Sequence, residues 1–291
     1  MISESPKKQQ LAGQLAVLAA AFLWSTSGLF IKFLDWHPMV ISGSRSFVAA
    51  LFLLTVRLFS PPQKVEKQPL RVYLASGIIF AFTIYTFVIA NKLTTAANVI
   101  LLQYSAPVWA ALLGWVLVKE KPKPEHWFAL FFVIAGLLLF FRDNLGSGAI
   151  AGNVIAIISG VCLGTHMVSL RMLKGGDTRD AMLLAHMITA ALSIPFFFVF
   201  PPSLRVATVL PLLYMGFFQM GASSLLLSYG IKRTTAIQAM LTAILDPLLS
   251  PVWVLIVIGE RPSLSALAGG VIIISAVVAS SVIGMRRVED R

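Results

Sequence analysis

The chain has 291 residues, of which 58% are hydrophobic and only 12% are charged. Soluble domains carry about 25% charged residues, so the composition excludes an ordinary soluble protein and predicts an integral membrane protein. The mean hydropathy of +0.86 agrees with this class. The net charge of +11 would suit a polyanionic partner only if the basic residues formed one patch.

Uncharged apolar runs cover nearly the whole chain, and each is close to the ~20 residues that a helix needs to cross the bilayer. The first run follows two lysines, as in a signal peptide, but it is longer and has no clear cleavage site. We therefore interpret it as the first helix. Ten membrane-spanning helices are predicted, at about 11–31, 39–57, 72–91, 95–118, 127–141, 149–170, 181–204, 206–231, 234–258 and 263–285.

The basic residues are distributed unevenly between the loops. If the N-terminus is cytoplasmic and the ten helices alternate in direction, 17 of the 23 lysines and arginines lie on the cytoplasmic side and five on the other, with Arg45 inside a helix. This is the positive-inside bias of membrane proteins. It predicts a multi-pass protein of the inner (plasma) membrane with both termini in the cytoplasm, and it leaves no reason to expect a nucleic-acid partner.

The chain contains an internal repeat. A shift of 140 residues places KLTTAANVILLQYSAPVWAALLGWVLVKEKP, which starts at Lys92, on KRTTAIQAMLTAILDPLLSPVWVLIVIGERP, which starts at Lys232. The repeat predicts two five-helix halves, 1–145 and 146–291, within one structural domain. Because five is odd, equivalent helices cross the membrane in opposite directions, so the halves are expected to be inverted. Such repeats predict a transporter with a binding site near the midplane and alternating access.

The motifs of both halves resemble the EamA-type transporters of the drug/metabolite transporter superfamily. The resemblance rests on PLLSPVWVLIVIGERPSLSALAGGVIIISAVV from Pro247, on LWSTSGLFIK at 23–32 and on HPMVISGSRSFVAALFLL at 37–54. It implies a ten-helix secondary carrier in which helices 1–4 and 6–9 surround a central cavity and helices 5 and 10 lie at the periphery. Many bacterial members are similar to exporters of amino acids or other small metabolites.

Asp246 and Pro247 lie together near the middle of the ninth predicted helix. A proline inside a helix removes a backbone hydrogen bond, and Pro107 matches Pro247 in the repeat, so both prolines are predicted to break or hinge their helices. Asp246 has no acidic counterpart. An ionisable residue at this depth is a candidate for binding a cation or carrying a coupling proton. Capping of the second half-helix is the alternative.

Further candidates for the cavity are polar or aromatic residues near the midplane. Asn98 shares a helical face with Ser105, and Gln238 shares one with Thr242. Such residues suit an apolar or aromatic substrate with a polar end, whereas helix packing and interhelical hydrogen bonds are the alternative. The predicted lining residues besides Asp246 are Trp24, Tyr85, Asn98, Tyr104, Ser105, Gln219, Gln238 and Thr242.

Three other features are interpreted mainly as structural. Arg45 is expected to snorkel to the membrane surface, with pairing to a substrate carboxylate as the alternative. Glu120 is expected to stabilise a helix end. Gly160 and Gly164 form a small-xxx-small pair and are expected to let two helices approach closely.

The chain lacks the Walker glycine loop, H-E-x-x-H and G-x-S-x-G. The sequence therefore predicts neither an ATP motor nor an enzyme, and no cofactor or metal. The single cysteine, Cys162, excludes an intramolecular disulfide.

The predicted function is a secondary transporter that exports amino acids or related small amphipathic metabolites. Efflux of cationic drugs, neutralised by Asp246, and a passive facilitator or channel are the alternatives. The expected partners are a small-molecule substrate and the lipid bilayer, with protons as the candidate coupling ion. A monomer is expected.

Overall fold

The computed structural model describes residues 6–60, 68–94, 96–141, 150–173 and 176–258, with short pieces between 268 and 283. All regular secondary structure in these residues is helical. The helices are α1 (Pro6–Trp24), α2 (Ser27–Phe33), α3 (Pro38–Phe59), α4 (Leu70–Leu93), α5 (Ala96–Gln103), α6 (Ala106–Leu113), α7 (Pro124–Phe141), α8 (Ile150–Met172), α9 (Thr178–Val199), α10 (Val206–Tyr214), α11 (Ser223–Ile231), α12 (Ala236–Thr242) and α13 (Leu245–Ile258). Two π-helical segments, Gly114–Val118 and Met215–Ala222, continue α6 and α10.

Six helical stretches in the described residues are long and apolar enough to cross a membrane: Lys8–Phe33, Pro38–Phe59, Leu70–Leu93, Ile150–Met172, Thr178–Val199 and Val206–Ile231. Large apolar side chains such as Leu58, Phe131 and Phe198 point outward, as expected of a surface that faces lipid. The all-helical membrane class is therefore confirmed. The predicted helix at 263–285 lies mostly outside the described residues, so the number ten stays a prediction.

The helices that contain the two predicted break prolines are interrupted. A turn at 104–105 separates α5 from α6, and a turn at 243–244 separates α12 from α13. Pro107 and Pro247 each lie in the first turn of the helix that follows, where a missing backbone N–H costs least. The first helix is also interrupted, at 25–26, without a proline.

The packing of the helices follows the repeat. α1 packs on α11 and α4 packs on α8, so that the first helix of each half lies against the third helix of the other. α3 packs on α9, which joins the two second helices. Each interrupted helix packs on the first helix of the other half. Helices α5 and α6 pack on α8, and helices α12 and α13 pack on α1.

Contacts between the halves define two ends of the bundle. At the end that we call the Glu120 end, Glu120 forms an ion pair with Arg171 near the end of α8. At the opposite end, the Trp36 end, the indole of Trp36 donates to the Ser203 hydroxyl at 3.3 Å. Helix α1 runs from the Glu120 end towards the Trp36 end.

Helix α8 runs the opposite way. It begins beside the hydrogen bond from the Thr94 hydroxyl to Asn153 and ends at Arg171. The first helices of the two halves are therefore antiparallel.

Gly160 and Gly164 on α8 face the interruption between α5 and α6. A Cβ at Gly160 would lie 2.5 Å from the Ser105 hydroxyl oxygen, and one at Gly164 would lie 2.7 Å from the backbone oxygen of Ala106. These distances are shorter than van der Waals contact, so only glycine lets α8 approach the broken helix. The small-xxx-small prediction is thus explained by packing within the bundle.

We predict that Gly164→Ala destabilises the protein, because the added methyl meets backbone atoms that cannot rotate away. Overpacking of this kind costs about 1–3 kcal/mol and should lower the thermal unfolding midpoint in detergent micelles. Gly114→Ala is the matched control, since its nearest neighbour would be a Val168 methyl at 3.9 Å. Equal midpoints for the two variants would contradict the packing account.

Candidate functional site

A cavity lies at the centre of the bundle, where helices of both halves meet. Its free volume is about 70 Å³, and one water molecule needs about 10–15 Å³, so it has room for only a few waters. Except for Trp24, Leu163 and Asp246, the lining residues are buried. They are Trp24, Ser27, Arg45, Phe80, Thr83, Ile84, Phe87, Gln103, Tyr104, Leu163, His166, Met167, Met182, Met220, Ser223, Ser224, Leu227, Met240 and Asp246.

Arg45 on α3 lines this cavity, and its side chain has 0% of its surface exposed. Its Nη1 lies 3.5 Å from the Gln219 amide oxygen, at the limit of a hydrogen bond. Its Nε and Nη2 have no hydrogen-bond partner among the described residues. The prediction that Arg45 snorkels to the membrane surface is therefore wrong. The neighbouring helices cover its side chain and turn it inward.

Two buried histidines extend the polar side of the cavity. His186 on α9 lies 3.0 Å, through Nε2, from the Ser224 hydroxyl, and both nitrogens of His166 on α8 lack a partner among the described residues. The ring of Phe80 stands between them, 4.9 Å from His166 and 4.8 Å from His186. The cavity therefore offers unsatisfied nitrogen atoms near Arg45.

Asp246 contributes a carboxyl group at the start of α13. Its Oδ1 is buried and has no hydrogen-bond partner in the described part of the chain. The Tyr104 hydroxyl lies beside this carboxyl group and donates to the backbone oxygen of Ala243. The carboxyl group thus stands at the interruption of α12 and α13 with one oxygen available to a ligand.

Trp24 joins the cavity to a hydrogen-bonded cluster between α1, α2 and the π-helical segment at 215–222. Its indole donates to the Ser223 hydroxyl at 2.9 Å. Gln219, which accepts from Arg45, donates to the Thr26 hydroxyl at 3.2 Å. The interruption at 25–26 and the π-helical segment therefore meet at the same place, and both position groups next to Arg45.

Four methionines make up much of the apolar wall: Met167, Met182, Met220 and Met240. Methionine is flexible and polarisable, so it can fit apolar groups of different shape. Phe87 and Leu227 complete this wall. The cavity thus combines a polar, charged part with an adaptable apolar part.

The predicted site residues are distributed as follows. The cavity is lined by Trp24, Tyr104 and Asp246. Gln219 contacts the lining residue Arg45 but is not itself among the lining residues. The Tyr85 hydroxyl donates to the Thr189 backbone oxygen at 2.6 Å and lies outside the lining.

Three of the remaining candidates, Gln238, Ser105 and Thr242, are not among the described residues that line the cavity. Gln238 accepts from the backbone N–H of Thr235 and caps α12. Ser105 packs near Gly160, and Thr242 is not among the lining residues. Asn98 lies on α5, but its side chain is outside the described residues.

The predicted lining left out Arg45 and His166, which line the cavity, and His186, which contacts the lining residue Ser224. One signal could have found two of them, because Arg45 and His186 occupy roughly matching positions in the two repeats. Polar residues at equivalent positions of inverted halves are expected to converge on the same midplane site.

Contacts between the halves link several helix ends at the Glu120 end. Glu120 pairs with Arg171, which also donates to the Ile231 backbone oxygen at 2.9 Å. The second carboxylate oxygen of Glu120 accepts from the backbone N–H of Ala236 at 3.4 Å. Glu120 thereby joins the ends of four helices, which explains its position better than proton transfer does.

Other contacts join the halves at the Trp36 end. The Trp36–Ser203 bond links them, and the His37 ring stacks on Phe200 with centroids 4.1 Å apart. Both ends of the bundle therefore carry contacts between the halves in this conformation.

Comparison with known proteins identifies the family to which the chain is similar. The sequence profile of the EamA-like transporter family matches the chain twice, at 11–142 and 150–282. An uncharacterized transporter of Bacillus subtilis (strain 168), YwfM, is 26% identical over 280 residues, covering 90% of this chain and 93% of YwfM. Human solute carrier family 35 member G1 is 28% identical over 187 residues, or 59% of this chain and 50% of that carrier.

One solved crystal structure shares the fold, with a TM-score of 0.79 and 22% identity over 96% of this chain and 99% of that chain. The two matches to the family profile cover the N-terminal and C-terminal repeats in turn. The resemblance stated from the motifs is thus confirmed, and the relatives are transporters rather than enzymes. The chain belongs to the EamA-like transporter family.

Proposed function

We propose that this protein is a secondary transporter that works by alternating access and exports amino acids or related small amphipathic metabolites. It would lie in the inner membrane as ten helices, with both termini cytoplasmic and with halves 1–145 and 146–291 inverted. The Glu120 end would then face the cytoplasm. The antiparallel course of α1 and α8 supports the inversion, and the positive-inside bias supports the orientation.

The observation that supports this proposal is the charged cavity between the halves, whose lining is mostly buried, together with contacts between the halves at both ends of the bundle. A carrier needs a site that is closed on both sides while the substrate changes compartments, and inverted repeats supply two equivalent sets of closing contacts. Glu120–Arg171 would close one end and Trp36–Ser203 the other. A passive channel has no need of both closures at once.

Efflux of cationic drugs is less well supported by the same cavity. Arg45 is fully buried there, and a guanidinium keeps its charge in proteins. A cation in the cavity would be attracted by Asp246 but repelled by Arg45. An amino acid meets no such conflict, because it carries both charges.

The first prediction concerns transport itself. Purified protein in liposomes preloaded with labelled leucine or phenylalanine should release the label several-fold faster than protein-free liposomes. A pH gradient should change this rate if protons are the coupling ion. Asp246→Asn should slow release by about 10- to 100-fold, because a hydrogen bond to a charged group is lost.

These outcomes separate the claims. Release that ignores the pH gradient would exclude proton coupling and leave the carrier in place. A dye cation released in place of both amino acids would favour drug efflux. Normal release and pH dependence in Asp246→Asn would contradict a role for that carboxyl group.

The second prediction concerns closure at the Glu120 end. In a Cys162→Ala background, the thiol introduced by Ser224→Cys should react slowly with a membrane-impermeant methanethiosulfonate, because Ser224 is buried in the cavity. Adding Glu120→Gln should speed the reaction several-fold, because the pair with Arg171 is only partly exposed and holds four helix ends.

Arg57→Gln is the matched control at the same end. Arg57 pairs with Asp180, but its side chain is 58% exposed, and such pairs contribute about 0–1 kcal/mol. The labelling rate should therefore stay near that of the parent. Equal acceleration by both variants would show that Glu120 has no special part in closure.

A further inference from the structure

The unpaired edge of Arg45 is the feature of the cavity that most needs a ligand. Its side chain is fully buried, and Nε and Nη2 have no partner among the described residues. These two nitrogens form the side of the guanidinium whose N–H bonds are parallel. A carboxylate matches this edge with two hydrogen bonds.

An unpaired buried charge is costly. Uncompensated ions inside proteins lose several kcal/mol of hydration, and arginine cannot escape this cost by losing its proton. Gln219 offsets little of it, because its oxygen lies 3.5 Å from Nη1. An anionic group that enters the cavity would supply the missing partner.

The groups around Arg45 favour a carboxylate over a bulkier anion. No second arginine or lysine is found among the described residues that line the cavity, whereas polyanions such as phosphates are usually bound by several cations. The Ser224 hydroxyl and His186 provide hydrogen-bonding groups near it. A single guanidinium edge balances a single negative charge.

Asp246 supplies the complementary group in the same cavity. It has a buried oxygen without a partner in the described chain, and it forms no ion pair with Arg45 among those residues. A ligand with one positive and one negative charge would satisfy both. The four methionines would then contact its apolar part.

We propose that the cavity recognises a zwitterion, with the ligand carboxylate held by Nε and Nη2 of Arg45 and its ammonium group by Asp246. This assignment rests on the proposed transport function and names its substrate class: small α-amino acids with apolar side chains. Arg45 is the residue that separates such substrates from amines. The cavity must widen to admit them, since its present free volume is about 70 Å³.

The test compares ligands that differ by one charge. Leucine, 3-methylbutylamine, which lacks the carboxylate, and 4-methylpentanoate, which lacks the ammonium group, compete for release of labelled leucine from liposomes containing the protein. Phenylalanine, phenethylamine and 3-phenylpropanoate form a second set. In the unmodified protein, only the amino acids should compete strongly and raise the thermal unfolding midpoint.

The variants should change the ranking in opposite ways. Arg45→Gln should weaken leucine binding by about 10- to 100-fold without weakening 3-methylbutylamine, so that the two bind similarly. Asp246→Asn should instead make leucine similar to 4-methylpentanoate. If either residue were purely structural, its substitution would weaken the binding of all three ligands equally.

Two further variants keep the test decisive. Arg45→Lys retains the charge without the parallel N–H edge. Its affinity for leucine should lie between those of the unmodified protein and Arg45→Gln, and it serves as the test if Arg45→Gln folds poorly. Arg57→Gln changes an exposed arginine on the same helix and should leave the ranking unchanged.

The proposal is overturned if amines compete as well as amino acids in the unmodified protein, or if Arg45→Gln and Arg45→Lys keep its ranking. If none of the six compounds is released or competes, the proposed export of amino acids fails as well. Release of leucine with an unchanged ranking contradicts only the charge assignment.

Discussion

The hydrogen bond from the Tyr104 hydroxyl to the Ala243 backbone oxygen joins the two helix interruptions that precede Pro107 and Pro247. In hydrocarbon an unsatisfied backbone group costs several kcal/mol, so a broken helix is tolerated only where protein or a cavity surrounds the break. Tyr104 lies at one break and Ala243 at the other, and each break therefore lies at the centre of the bundle. The close approach of α8, through Gly160 and Gly164, encloses the first of them.

The polar character of the cavity follows from this constraint. Interrupted helices leave backbone groups and polar side chains in the interior, and Asp246 lies beside one of these interruptions. Once water or a polar ligand can enter, other polar residues can be accommodated nearby. Arg45, His166 and His186 stand on three helices that carry few other charges, and they gather where the breaks already require a polar interior. The apolar methionines fill the remaining wall.

The sequence predicted the features that depend on local pattern or on the repeat. Apolar runs identified the helices, because hydrophobic length alone decides whether a segment spans a membrane. Pro107 and Pro247 identified the breaks, because proline removes a backbone donor wherever it lies. Whether the Arg45 side chain points inward or towards the membrane surface depends on which helices cover it, and no local sequence pattern encodes this packing. Gln238 was likewise assigned to the cavity, whereas its amide completes a capping box with Thr235.

The central claim is that the two ends open in turn around one occluded site. The most direct measurement uses spin-label distances in a Cys162→Ala background, with one pair at Lys121 and Met172 and the other at Phe33 and Leu204. These exposed positions adjoin Glu120–Arg171 and Trp36–Ser203. We expect a long distance at one end to be accompanied by a short distance at the other, with leucine shifting the populations. Long distances at both ends in the same molecules would indicate an open channel and contradict the account.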